Sequence, residues 1–178
     1  MSNCRLLPQT AITKSISTMT QPKPTAEEVF SWQKRLAAQA NNQAWRLSES
    51  TSRSPAESDE MLHAAHAAMY FWSIVGNPGN RAHAAQLLAH VYALLGKGED
   101  AAAYLSASSA HFANTDCAPW EVAISHAVAA NVAASLNDRL RHEEHYEKAR
   151  DLIAALPDPE DRNILLPTLN VVPVPEKV

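Results

Sequence analysis

The chain has 178 residues, 46% of them hydrophobic and 19% charged, with only 4 glycines. That size and balance fit one domain with its own core and exclude a disordered tail protein, a collagen-like chain and a Gly-rich phosphate-binding scaffold. A formal net charge of -4 offers no basic footprint for nucleic acid or anionic lipid, so neither is expected as a partner.

Residues 1–24 read as a disordered N-terminal segment. Arg5 and Lys14 stand there without an acid, but no apolar core region follows them, so a secretory signal is not expected, and Met19 offers an alternative start. Apolar stretches are interrupted well before the roughly 18 residues that span a bilayer, so no membrane helix is predicted. Cys4 and Cys117 are too few and too far apart to suggest a disulfide framework or a zinc ribbon. A reducing, cytoplasmic setting follows.

Thr25-Ala-Glu-Glu28 is a capping box that opens a first helix running to about Ser48, with Val29, Leu36, Ala40, Ala44 and Leu47 as its buried stripe. Ser54-Pro55-Ala-Glu57 opens a second helix to Val75, where Gly76 is expected to supply a left-handed cap. Asn77-Pro78-Gly79 reads as a turn before a third helix from about Asn80 to Leu95, ended by Gly96-Lys-Gly98. A fourth helix is predicted from Glu99 to Phe112.

Pro119 opens a fifth, Ala- and Val-rich helix to Leu136, whose apolar composition predicts burial on more than one side. Asn137-Asp138 caps a sixth helix to Leu156, Pro157-Asp-Pro159 stops it, and a short helical turn from Glu160 to Leu166 follows. From Pro167 the chain is expected to run extended, so residues 167–178 read as a Pro-containing tail behind one helical domain at 25–166. No window alternates with strand period. The fold class is therefore all-α, with six or seven helices arranged as antiparallel hairpins.

Eight histidines are many for this length. His63, His66, Tyr70 and Ser73 share one stripe of the second helix, and His142 and His145 share the apolar stripe of the sixth. Imidazoles three apart on a helix can converge on one ion, and Glu121 and His126 on the fifth helix could join them. A His-rich site built from His63, His66, Glu121, His142 and His145 is thus the alternative reading, a helical-bundle metal-binding protein or oxidoreductase. The simpler expectation is hydrogen-bonded histidines at helix seams, with no cofactor. A small-ligand pocket using the same imidazoles as donors is a third. No Gly-x-Ser-x-Gly elbow or phosphate loop is present. Trp32, Trp45, Trp72 and Trp120, spread one or two to an element, read as core anchors. The Val171-Val-Pro-Val-Pro175 segment is a candidate to dock on its own helices.

Leu88, Tyr92, Gly96, Ala101 and Leu105 stand at the spacings at which a tetratricopeptide repeat places its packing and turn residues. Ala130 to Ala149, with Asn137-Asp138 at the turn and Tyr146 in the second helix, is similar to a second unit, although His142 stands where a small residue is usual. Phe71, Trp72 and Gly76 suggest a third. The chain resembles small bacterial tetratricopeptide-like proteins over roughly Ser58 to Leu156. That resemblance implies a right-handed α-solenoid and not an activity; the leading expectation is a non-enzymatic scaffold for protein–protein or self-association. Its groove candidates are His63, His66, Tyr70, Arg81, His83, Gln86, His90 and Tyr92, facing an unidentified protein or peptide partner, or a second copy.

Overall fold

A computed structural model describes residues 23–113 and 116–176, so the expectations for residues 1–22, Cys4 and Met19 included, lie outside the described residues. Among the described residues the chain is all-helical and has no strand. Its helices are α1 (Ala26–Ser48), α2 (Pro55–Val75), α3 (Pro78–Leu94), α4 (Gly98–Phe112), α5 (Pro119–Ser135), α6 (Arg139–Ala155) and α7 (Pro159–Asn170). No described helix is long and apolar enough to cross a membrane.

Local chemistry sets most of these boundaries. The Thr25 hydroxyl accepts from the Glu28 N–H at 3.2 Å while the Glu28 carboxylate accepts from the Thr25 N–H at 2.8 Å. Ser54 and Glu57 repeat the arrangement at the start of α2. Asn77 corrects the sequence reading: it is a cap, not part of a free turn. Its side chain accepts from the Asn80 N–H at 2.8 Å, and α3 starts at Pro78, where a missing N–H costs nothing.

The ends of α3 and α5 share one design. Gly96 takes φ 69 and its N–H reaches the Ala93 carbonyl while the Lys97 N–H reaches the Tyr92 carbonyl. Asn137 takes φ 59, with its N–H on the Ala134 carbonyl and the Asp138 N–H on the Ala133 carbonyl. Both are Schellman closures, one using glycine and one using asparagine. Gly76 is different from the expectation: it is extended, at φ -89 and ψ 157. Glycine is needed there because a Cβ would lie 2.5 Å from the Trp72 carbonyl oxygen.

The expected extended tail begins later than Pro167. That proline lies inside α7, which continues to Asn170. An interior proline deprives one carbonyl of its donor, here that of Asn163, whose residue is exposed and so can use water. The helix persists because Leu165, Thr168 and Leu169 are buried on its inner face.

In packing, α1 lies on α2, α3 on α4 and α5 on α6, while α3 also touches α1 and α5, and α5 touches α7. Two apolar clusters result. Ala44, Leu47, Met61, Ala65, Leu87, Leu88 and Val91 join α1, α2 and α3. Ala123, Ala127, Val128, Val132, Ala149, Ile153, Leu165 and Leu169 join α5, α6 and α7. Each fully buried leucine or valine contributes about 1.5–3 kcal/mol. Alanines on α5 let its neighbours approach closely, which is why this helix is buried on several sides, as its composition predicts.

The outer end of the molecule is less covered than expected. On α1 the buried residues are Ala37, Ala44, Leu47 and Ser48, whereas Leu36 is exposed and Val29 only half-buried. Of the four tryptophans, Trp45 and Trp72 are half-buried, but Trp32 and Trp120 are exposed.

Candidate functional site

The histidines fall into separate groups. In the interior, α3 carries Gln86 and His90 one turn apart, at 1% and 0% exposure. His90 stacks on Trp45 of α1 with ring centroids 5.6 Å apart, and its Nδ1 accepts from Asn131 Nδ2 of α5 at 3.1 Å. Gln86 donates through Nε2 to Ser125 Oγ at 2.8 Å. Burial, and secondarily the charge of Arg53, push the His90 pKa down to about 3, so the ring is neutral. These two residues were groove candidates on a polar flank. The structure corrects that placement: α1 and α5 close over this side of α3, and no partner reaches either side chain.

A second group surrounds His83, half-buried between the rings of Trp120 at 5.6 Å and Phe112 at 5.1 Å. Its Nε2 meets Glu121 Oε1 at 2.9 Å. The other Glu121 oxygen accepts the Ala118 N–H at 2.8 Å. Glu121 therefore caps α5 and holds His83 at once. Nearby, Cys117 Sγ donates to the Phe112 carbonyl at 3.4 Å, and burial together with the Glu121 and Asp116 charges pushes its thiol pKa up. Such a thiol is a poor nucleophile.

On the opposite flank of α3, His66 Nε2 meets the Tyr92 hydroxyl at 2.8 Å, and Tyr92 stacks on Tyr104 of α4 at 5.5 Å. Burial first, then Tyr104 and Asp100, raise the Tyr92 pKa. His63 and Tyr70 are exposed on α2, Tyr70 at 63%. Arg81 donates to the Gly76 carbonyl at 2.7 Å, bracing the α2–α3 connection.

The last group lies on α6. His142, 9% exposed, meets the Pro173 carbonyl through Nε2 at 2.8 Å, and Val172 is buried beside it. The tail segment thus docks on its own helices. His145 faces inward to α5, its Nδ1 2.9 Å from that of His126. Burial, then His145 and Lys148, lower the His126 pKa against an opposing effect of Glu144.

The five residues of the metal alternative are therefore dispersed. His63 is exposed alone, His66 is on Tyr92, Glu121 on His83, His142 on Pro173 and His145 on His126. Among the described residues no group of three or more His, Cys, Asp or Glu side chains is placed to hold a metal ion.

Concavities open beside α6. A groove of about 300 Å³ runs between α4 and α6 over α5. Leu105, Val132, Ala133 and Leu136 give it an apolar floor, with Ser106, Ser109, Arg141 and His145 also lining it. A second, of about 460 Å³, lies between the start of α6 and the tail, and includes His142, Pro173 and Pro175. Sequence reasoning singled out the histidines in both but missed the groove floor, because apolar residues on α4 and α5 read simply as core. A scan against protein-family models finds no match for this chain, and searches of curated proteins and of solved structures likewise return none.

Proposed function

We propose that the chain is a non-enzymatic, tetratricopeptide-like scaffold, built of antiparallel helical hairpins stacked as a right-handed solenoid, that binds a protein or peptide partner. The observation that carries this reading is the register between α3–α4 and α5–α6. Pro78 and Pro119 each open a 17-residue helix, Gly96 and Asn137 each close it in the left-handed region, and Gly98 and Arg139 each open the next. These pairs share a single sequence offset. The unit is longer than the 34 residues usual for the family.

The contacts of α3 with α1 and α5, and of α5 with α7, support stacking, since every second helix of a solenoid meets its counterpart in the next unit. With Gln86 and His90 enclosed, the partner surface moves to the groove between α4 and α6. Its floor accepts an apolar side chain, and Arg141 and His145 offer polar contacts at the same place. His63, His66, Tyr70 and Arg81 remain exposed and can extend contacts over α2 and the start of α3.

Ser106 and Ser109 are exposed at this groove, so Ser106→Arg and Ser109→Arg obstruct it without entering the core. Proteins retained by the wild-type chain from its native host, and its self-association by sedimentation, are compared with those of the two variants. Loss of a reproducible partner, or of any self-association that the wild type shows, is expected at unchanged melting temperature. Undiminished binding by both variants overturns the assignment of the groove.

A further inference from the structure

We propose that His126 and His145 form a two-imidazole site for a divalent transition ion of tetragonal preference, with Cu(II) the best fit, bridging α5 and α6. The proposal goes beyond the scaffold reading and stands without it. The two rings come from different helices, lie 5.1 Å apart between centroids and are tilted by 40°. Their Nδ1 atoms lie 2.9 Å apart.

A hydrogen bond between them uses one Nδ1 as donor and the other as acceptor. If each neutral ring instead carries its single proton on Nε2, both Nδ1 lone pairs are free for an ion, and no proton leaves the pair. At metal–nitrogen distances of about 2.0–2.1 Å, this separation subtends an angle of about 90° at the ion. That is the cis angle of a square-planar or tetragonal centre, the geometry of Cu(II), and tighter than the tetrahedral angle of zinc.

Access agrees with this reading. Both imidazoles are only half-buried, and His145 lines the open groove between α4 and α6. Lys148 and Glu144 act on His126 with opposite signs, the Lys148 effect being the larger. Since no third carboxylate, thiol or imidazole joins the pair among the described residues, the remaining positions belong to water or to a ligand entering from the groove. The site is thus open, unlike a closed structural one.

The test uses the full untagged chain, stripped with a chelator and titrated with Cu(II). One tight equivalent is expected, with an electron paramagnetic resonance signal split by two imidazole nitrogens. A higher melting temperature is also expected, because the ion binds the folded chain and cross-links two helices. His126→Ala and His145→Ala should each weaken this equivalent at least tenfold and abolish the melting shift. His63→Ala, at an exposed position, should leave both unchanged. Should either alanine variant fail to fold, His126→Asn and His145→Asn replace them. Absence of a tight equivalent in the wild type overturns the proposal, as does an equivalent that survives in both variants or couples to a single nitrogen.

Discussion

Helices α3 and α6 are each 17 residues long, yet ten residues of α3 are buried and only three of α6. The difference follows from position: α3 packs against α1, α2, α4 and α5, whereas α6 has α5 and α7. It also decides what a histidine does. His90 on α3 is sealed, neutral and structural, while His145 on α6 faces a groove. Gln86 and His90 on the central helix serve the core, whereas His145 on the flanking helix remains open to a ligand.

The largest expected effect breaks the comparison outright if it is wrong. Leu88→Ala on α3, at 0% exposure, should cost about 2–5 kcal/mol in urea unfolding. Leu140→Ala on α6, 77% exposed, should stay within about 0.5 kcal/mol. Similar losses for the two would refute the ranking of these helices.

Acid sharpens the same contrast. Because the folded His90 titrates near 3 against an ordinary value of 6.5, the unfolded chain binds its proton first. The stability linked to this ring is complete above about pH 6.5 and declines as the pH falls toward 3. His90→Gln removes the titration, so its unfolding free energy should vary less with pH over that window than the wild type's. A parallel pH profile in the variant would show that His90 is not the sealed group.

Truncation after Asn170 tests the weaker, flanking side. It removes the buried Val172 and the Pro173 carbonyl that meets His142, and should cost about 1–3 kcal/mol. An unchanged melting temperature would mean that the tail does not hold α6. Asn77→Ala, which strips the cap from α3, is expected to cost about 1 kcal/mol by the same unfolding assay. Arg150→Ala on the exposed face of α6 loses ion pairs to Glu147 and Asp151 but should leave the melting temperature essentially unchanged, measured in parallel.

Much of the fold was legible because its signals are local. Thr25 with Glu28 and Ser54 with Glu57 announce helix starts through side chains three residues away, and Gly96-Lys-Gly98 marks the end of α3; Asn137, read only as a cap of α6, in fact closes α5 at positive φ while Asp138 does the capping. Pro167 misled because its local penalty is outweighed by the burial of Leu165, Thr168 and Leu169, an effect of contact with other helices. Gly76 misled in another way. Its residue type was informative, but the reason was a neighbouring carbonyl and not a positive φ.

The candidate site was less legible. His145 was singled out with His142 on one stripe of α6, and His126 as a companion from α5, yet nothing in the periodicity of either helix pairs His126 with His145. Gln86 and His90 read as a polar flank because a helical wheel cannot tell a solvated stripe from one facing Trp45 and Asn131.

The sequence by itself determined the all-helical class, the order of the helices and most of their ends, because capping and hydrogen-bond closure involve residues within about one turn. Only the tertiary structure decided which polar stripe is enclosed, which is open, and which imidazoles meet. Those outcomes depend on how many neighbours each helix has and on the direction its side chains take at the crossings, and neither is written within a single helix.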